Sequence, residues 1–473
     1  MCEAISGVLS DILYRIYLPG GLSMRFYIAL WFAKLINVII NIVDKSRGSN
    51  FSGEKAMKID PQMVAHFKGI DCSRVLFITG TNGKSTTTNL VTHIFRASGK
   101  KVIANLEGAN LIYGIATALS KASSLTGKIR ADYIIFETDE RYLPIIYKQL
   151  PAENIMITNL QKDQVQRNGD PDFIYRRLFE AIGGDIRLFL NNEEPRTKAF
   201  DEKTGNIVTY GVARHEEAFI KDETFPTMAC PKCRHKIVFD YYNNDGVGKF
   251  HCSHCGHASQ ETADYTITDV DFGARSFKMD GVVFPMPYDT PYMCYNYAGA
   301  LAVAEELGGI TPEEAAKAFD NFQNVGGRFE ILKYKGKTIK YMRIKQENPE
   351  TLQTCINVMA ADKEKKMVCL GLCPLIDMIP NYTNSFYAYD CDLSGLVQSD
   401  VEKYFCFSER VCYDTANRLI YEGVDKSMIS IADSEDVETI FREIEEVETD
   451  NIYLITWIKT FYHMKKYIEK EGN

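Results

Sequence analysis

An excess of positive charge is missing from this sequence. Across 473 residues the formal net charge is −9. A general nucleic-acid binder is ordinarily basic, so no nucleic-acid partner is expected. A phosphorylated ligand stays open, because a few basic residues can line one cleft of an acidic protein. A disulfide framework is missing too. Of the 13 cysteines, nine are scattered without paired spacing, which suits a reducing cytosol better than an oxidising compartment. No internal repeat and no low-complexity tract interrupts the chain. A charge-free membrane span is absent as well. Residues 24–43 read MRFYIALWFAKLINVIINIV, with Lys34 near the middle, and a central Lys costs about 2.5–3.5 kcal/mol on insertion scales. Lys34, Asn37, Asn41 and Lys45 follow helical spacing and form one polar stripe. That predicts an amphipathic helix docked on the protein or on a membrane surface; the alternative is a membrane anchor. No small-residue cleavage site follows, which argues against a signal peptide.

What is present is an ordinary globular composition, 45% hydrophobic and 25% charged, with room for two to four domains at roughly 100–200 residues each. KSRGSNFSGEKAMKIDP, from Lys45, reads as a polar lead-in loop. From Val75 short apolar runs alternate with helical stretches: VLFITG, KSTTTNLVTHIFRASG, KVIANL, GANLIYGIATALSKAS, ADYIIFET and NIMITNL. This alternation predicts a parallel α/β sheet covered on both faces. Ligands of such sheets bind beyond the C-terminal strand ends. There lie Thr79 onward, Asn105, Glu137-Thr138-Asp139-Glu140 and Asn159. Composition shifts near Asp222, a β-rich stretch and a helical one (Cys294 to Phe322) follow, and alternating α/β pattern resumes from Lys333.

The phosphate-loop pattern G-x-x-x-x-G-K-[ST] is not met, since Ile78 stands five before Gly83. The loop is Gly80-Thr81-Asn82-Gly83-Lys84-Ser85, between a strand and a helix start. Its glycines let backbone amides approach phosphate oxygens. Lys84 can neutralise β/γ-phosphates, Ser85 can ligate Mg²⁺, and the helix N-terminus favours an anion. Glu137, at a strand's C-terminal end, is the best further Mg²⁺ candidate. Cys230-x₂-Cys233 and Cys252-x₂-Cys255 are separated by 18 residues, within the spacing of a four-cysteine zinc site. Four thiolates leave no open coordination position, so the expected zinc is structural and His235, His251, His254 and His257 are bystanders.

TGTNGKSTT resembles the phosphate loop of the Mur ligases, ATP-dependent amide-bond formers of peptidoglycan synthesis. NLEGANLIYGI, FETDE, TNLQKDQVQRNGD, LNNEEP, the four-Cys insert, CYNYAGALA and GGRFE follow in order. Together they are similar to MurT-type subunits of lipid II isoglutaminyl synthases. The resemblance implies an α/β fold: a Mur ligase-like ATPase domain with a parallel sheet, a zinc ribbon inserted in it, and a C-terminal α/β domain. The corresponding boundaries are 1–55 for the N-terminal helix and lead-in loop, 56–328 for the ATPase domain, about 222–262 for the ribbon and 329–473 for the last domain. It also implies a reaction: ATP activates the α-carboxylate of D-glutamate in the lipid II stem peptide, and ammonia from a GatD-type class I glutaminase displaces phosphate. The implied location is cytoplasmic, peripheral at the inner membrane face.

Carried over residue by residue, Gly80, Thr81, Asn82, Gly83, Lys84, Ser85 and Thr86 would hold the triphosphate. Ser85 and Glu137 would hold Mg²⁺, and Asn296 and Arg328 would approach the nucleotide. Asp163 and Arg167 lie in KDQVQRNGD, where the family reads RDQLDRYGE, so Gln166 and Asn168 depart. Further on, Asn348-Pro349 is kept, but LIDMIPNYTNSFYAYDCDLSGL puts Asn381 and Asn384 where the family has aspartates. An aspartate there is thought to complete the glutaminase's Cys-His pair, and Asn lacks the charge that stabilises an imidazolium. Asp377, Asp390 and Asn384 are thus the C-terminal catalytic candidates, beside Lys84. Two function classes follow: a cell-wall amide ligase or a divergent paralogue acting on another carboxylate or amine, and a nucleotide-binding regulatory subunit.

Overall fold

The computed structural model describes residues 21–43, 50–106, 109–161, 171–221, 228–244, 246–319, 321–322, 329–342, 349–372 and 386–471. They form two compact units, one within Met1–Leu160 and Asp172–Val325, the other within Gln161–Pro171 and Gly326–Asn473.

The first unit runs α1 (Gly21–Val43), α2 (Phe51–Ile59), β1 (Val75–Thr79), α3 (Lys84–Ala97), β2 (Val102–Ala104), α4 (Ile112–Ala122), β3 (Tyr133–Glu137), α5 (Leu143–Gln149), β4 (Asn154–Ile157), α6 (Pro171–Ala181), β5 (Arg187–Asn191) and β6 (Ile207–Val212). A hairpin of β7 (Ile237–Asn244) and β8 (Val247–Cys252) follows, then β9 (Tyr265–Asp271), β10 (Ser276–Met279), β11 (Val282–Pro285), α7 (Pro291–Glu306) and α8 (Pro312–Phe319). Nine strands make one sheet in the order β11-β10-β9-β6-β5-β4-β1-β3-β2. It is parallel from β2 through β9 and antiparallel at the β9-β10-β11 edge.

Every residue of β1 is buried, because its alternate side chains feed two cores. Phe77 packs with α1, α2, α4 and α6 on one face, and Leu76 and Ile78 with α3, α7 and α8 on the other. After β1 the chain moves to β2 and β3 on one side, then crosses back to β4 on the other. The crevice beyond the C-terminal ends of β1 and β4 is therefore the topological switch point, where open α/β sheets bind ligands.

One reading of the N-terminal region changes, and a second gains a direction. The expected lead-in loop contains α2, with Ser52, Gly53, Ala56 and Met57 buried. Its small polar residues serve close packing. A Cβ on Gly53 would lie 2.0 Å from the Tyr113 carbonyl oxygen, and the Gly53 amide donates to Thr117 Oγ1 at 2.9 Å. In α1 the polar stripe faces inward. Asn37 is buried, and Lys34 Nζ donates to the carbonyls of Ser120 (2.7 Å) and Ser123 (2.6 Å). The Asn41 side chain and Lys45 lie outside the described residues. Among those residues no helix is long and apolar enough to cross a membrane.

The second unit contains β12 (Phe329–Tyr334), β13 (Lys337–Met342), α9 (Pro349–Ala361), β14 (Lys366–Leu370), β15 (Val401–Phe407), α10 (Val411–Tyr421), β16 (Ile429–Ala432), α11 (Val437–Glu446), β17 (Asn451–Ile455) and α12 (Ile458–Glu471). Its six-stranded sheet runs β12-β13-β17-β14-β15-β16. Only the β12–β13 hairpin is antiparallel. Hydrophobic clusters cover both faces.

Candidate functional site

The loop Gly80–Gly83 leaves β1 at the switch point, and β4 braces it from the side. Thr81 N donates to the Asn159 carbonyl at 2.8 Å. Asn82 N donates to Asn159 Oδ1 (2.9 Å), and Asn159 Nδ2 returns a bond to the Asn82 carbonyl (3.1 Å). Thr158 Oγ1 donates to the same carbonyl at 2.6 Å. Two positions need glycine. Gly80 has φ +123°, and a Cβ there would sit 2.4 Å from Thr158 Oγ1 and 2.7 Å from the Asn159 carbonyl oxygen. Gly83, the N-cap of α3, has φ +82°, and its Cβ would sit 2.3 Å from Asn296 Oδ1. Asn296, on α7, also accepts a 3.2 Å bond from Thr87 Oγ1. The asparagine assigned to the nucleotide site thus lies against the loop itself.

Lys84 is almost fully buried. Its ammonium reaches the Gly80 carbonyl, the Thr81 carbonyl at 3.0 Å and Glu140 Oε2 at 3.3 Å. Glu140 is equally buried, so a buried ion pair joins the loop to the segment after β3. Glu137 ends β3, in register with Ile78 of β1. Asn105 fixes its backbone through reciprocal 2.8 Å bonds, and Asn110 Nδ2 reaches its carboxylate at 3.4 Å. Asp139 is half-buried, which alone would raise its pKa. Its hydrogen bonds from Arg141 outweigh that and hold the carboxyl below its ordinary value. Ser85 is half-buried and Thr86 buried in the first turn of α3. The loop, Lys84, Glu140 and Asn296 come together, and Glu137 stands beside them on the adjacent strand. Asp163, Arg167, Arg328, Asp377, Asn381 and Asn384 lie outside the described residues. Asp390 is exposed at the end of the one-turn 3₁₀ helix Phe386–Asp390.

The four cysteines of the β7–β8 hairpin converge. Their sulfur atoms all lie within 4.8 Å of one another, with Cys230–Cys255 at 3.7 Å and Cys233–Cys252 at 3.4 Å. Tetrahedral zinc with Zn–S near 2.3 Å sets sulfurs about 3.8 Å apart. Backbone N–H groups of Lys232 and Cys233 point at the Cys230 sulfur, and those of His254 and Cys255 at the Cys252 sulfur. Such donors stabilise thiolates, so the residues fit a structural Zn²⁺. His235 and His254 stack at 3.9 Å, with ring nitrogens within 4.8 Å of the Cys233 sulfur. His257 bonds the Pro195 carbonyl at 2.8 Å, and His251 pairs with Asp240 at 3.3 Å. Lys232 (to Asp201, 2.9 Å) and Arg234 (to Asp172) tie the ribbon to the sheet domain.

Sequence reasoning missed a buried carboxyl between ribbon and sheet. Glu193 accepts from Val212 N at 2.9 Å and from Asn192 Nδ2 at 3.3 Å, and also bonds Tyr295. Burial pushes its pKa up to about 7. Nearby Asn243, on β7, bonds the Val212 carbonyl at 2.8 Å and Tyr295 Oη at 3.3 Å. The motif LNNEEP carried the signal, but a second carboxylate after a strand reads equally well as a helix cap. Its neighbour Glu194 is one, accepting from Thr197 N at 2.8 Å.

Comparison with known proteins agrees with this geometry. Residues 78–236 match the Mur ligase middle domain, and residues 346–459 match the MurT ligase C-terminal domain. The chain is 27% identical over 381 residues to the lipid II isoglutaminyl synthase (glutamine-hydrolyzing) subunit MurT of Staphylococcus aureus (strain COL), covering 80% of this chain and 84% of that one. It is 25% identical over 424 residues to the subunit of the same name from Streptococcus pneumoniae (strain ATCC BAA-255 / R6), covering 86% and 90%. In fold it is similar to a pseudomurein peptide ligase type C from Methanothermus fervidus, with a TM-score of 0.64, 18% identity and coverage of 87% and 81%.

Proposed function

We propose that this chain, an ATP-dependent carbon–nitrogen ligase by its match to the Mur ligase middle domain and the MurT ligase C-terminal domain, amidates the α-carboxylate of D-glutamate in the lipid II stem peptide, giving D-isoglutamine. The observation that carries this reading is the glycine loop at the β1/β4 switch point, braced by Asn159 and Asn296, with Lys84 buried at the start of α3. Bound Mg-ATP would supply the phosphoryl group that turns the carboxylate into an acyl phosphate, from which ammonia displaces inorganic phosphate. The loop amides from Gly80 to Thr86 hold the triphosphate, and Lys84 offsets charge on its β/γ-phosphates. Ser85 and Glu137 would hold Mg²⁺ and Asn296 would approach the nucleotide; Arg328, the further nucleotide residue that the resemblance implies, lies outside the described residues. Positioning and charge stabilisation are what phosphoryl transfer asks of a protein.

The proposed ammonia source is a GatD-type glutaminase. Because Asn381 and Asn384 lack the carboxylate charge, Asp377 or Asp390 is the residue proposed to orient that partner's histidine. The proposed location is the cytoplasmic face of the membrane, where a lipid-linked substrate is reached. A structural Zn²⁺ would be held by Cys230, Cys233, Cys252 and Cys255.

The test is amidation of lipid II by the purified chain with Mg-ATP and either ammonium or glutamine plus a co-encoded glutaminase, read by mass spectrometry of the stem peptide. Amidation with both sources is expected. Amidation with ammonium alone removes the glutaminase part of the reading. No amidation with either, despite ATP binding, refutes the substrate and leaves the regulatory reading, which the Asn381 and Asn384 replacements favour.

A further inference from the structure

Helix α1 leaves a large apolar face exposed while it turns Lys34 and Asn37 towards the protein. Its buried face holds Phe26, Ala29, Leu30 and Ala33, but also Asn37. Neither amide atom of Asn37 finds a hydrogen-bond partner among the described residues. The Lys34 ammonium is turned inward onto two carbonyls. The opposite face carries Met24, Trp31, Phe32, Leu35, Val38 and Ile39, each between 36% and 58% exposed. At 100° per residue these six fall within one arc of about 120°, a continuous stripe roughly 22 Å long at 1.5 Å per residue. A helix against water would place Leu35, Val38 and Ile39 inside and Lys34 and Asn37 outside. The observed orientation suits an outer medium that is itself apolar. A stripe this large on a soluble surface marks an interaction site.

Charge identifies the medium. Trp31 Nε1 and Lys34 Nζ both bond carbonyls of the segment 120–125, so the stripe adjoins that segment. From 120 to 130 it contains Lys121, Lys128 and Arg130, all exposed, and no acidic residue, although the whole chain is acidic at −9. Leu125, in the same segment, is 68% exposed. An apolar stripe with a tryptophan, flanked by cations and too short of apolar length to cross, is the composition of an element lying in the interface of an anionic bilayer. We infer that α1 and the segment 120–130 seat this chain on anionic phospholipid membranes, with the stripe Trp31, Leu35, Val38 and Ile39 in the acyl boundary. The choice of a bilayer rests in part on the lipid-linked substrate proposed above.

The test uses the full chain carrying Trp457→Phe, which leaves Trp31 as the only tryptophan. Vesicles of phosphatidylglycerol and phosphatidylethanolamine are compared with vesicles of phosphatidylcholine alone, by flotation and by Trp31 emission. Preferential binding to the anionic vesicles with a blue shift of Trp31 is expected. Leu35→Asp with Val38→Asp should lower the bound fraction at least tenfold, and Lys121→Glu with Lys128→Glu should abolish the preference for anionic lipid. Tyr421→Asp, an exposed position of the other unit, should change nothing. All four substituted side chains of the stripe and segment are exposed, and thermal unfolding confirms that the variants fold. No binding by the parent chain, or equal binding by the Leu35/Val38 variant, overturns the inference. So does a doubling of mass in vesicle-free solution that the same variant abolishes, since a second copy would then cover the stripe. Amidation of a water-soluble stem-peptide substrate is measured in parallel. Its failure counts against the ligase reading and leaves the vesicle result standing.

Discussion

Gly83 offers a sharp test of how the glycine loop after β1 is built. Gly83→Ala meets two separate costs. The backbone there has φ +82°, a left-handed conformation that costs an L-residue about 1–2 kcal/mol. The new Cβ would also sit 2.3 Å from Asn296 Oδ1 and 3.4 Å from its Cγ. Asn296 is buried, and its amide is held by Thr87 Oγ1 at 3.2 Å and lies 3.4 Å from Met293 Sδ. It cannot swing away without losing the bond to Thr87. Overpacking of this kind costs about 1–3 kcal/mol, so the single substitution should destabilise the first unit by about 2–5 kcal/mol.

The two costs separate in a double-mutant cycle. Asn296→Ala alone should destabilise, because it strips Thr87 Oγ1 of its partner. In the Gly83→Ala background it should stabilise relative to expectation, with a coupling of about 1–3 kcal/mol, since the overlap disappears and only the backbone cost remains. Urea unfolding followed by Trp31 emission in a Trp457→Phe chain reads the first unit without the second, which matters because a chain of two units need not unfold in one step. Additive effects within about 0.5 kcal/mol would refute the claim that Asn296 dictates glycine at this position.

The remaining predictions concern buried charge and metal. Lys84→Ala should abolish ATP turnover and also cost about 3–5 kcal/mol, because it leaves Glu140 charged, buried and unpaired; adding Glu140→Gln should restore urea stability but not turnover, and an unchanged stability of Lys84→Ala would refute the pairing. Zinc measured by mass spectrometry should be one ion per chain and fall to none in Cys230→Ser, with faster proteolysis within 228–261; loss of zinc with stability and activity intact would remove the structural role. Glu193, raised to about 7 by burial, should be most stabilising below pH 4.5, lose that stability as pH rises through 7, and cost about 3 kcal/mol above it. Glu193→Gln should flatten that loss, and it must be read as a difference from the parent, because His215, lowered to about 4 by burial, acts oppositely, losing stability as pH falls from 6.5 towards 4.

The shape of the glycine loop was legible because it is set locally. An apolar strand, two glycines and Lys84-Ser85 at a helix start fix backbone shape within ten residues, and the cysteine spacing does the same for the ribbon. Glu140 was visible only as one carboxylate of three in Glu137-Thr138-Asp139-Glu140. Its pairing with Lys84 depends on bringing together residues 56 apart in the chain, which no periodicity encodes. α2 was hidden for a related reason: Ser52 and Gly53 carry loop-like composition, yet the packing against Tyr113 and Thr117 requires residues that small.

Helix α1 marks the deeper limit. Periodicity gives the phase of a polar stripe around a helix axis, and Lys34 and Asn37 do share one face. It does not say which side of the helix is the protein. The usual assignment assumes that the outer side is water, so that polar groups gain by facing out. Once the inner side offers Lys34 the carbonyls of Ser120 and Ser123, its ammonium no longer needs water, and the cost of exposing Leu35, Val38 and Ile39 is decided by what lies outside. The sequence pattern is the same in either medium, so only the packed structure could show that Lys34 and Asn37 turn towards the protein while Leu35, Val38 and Ile39 stay exposed.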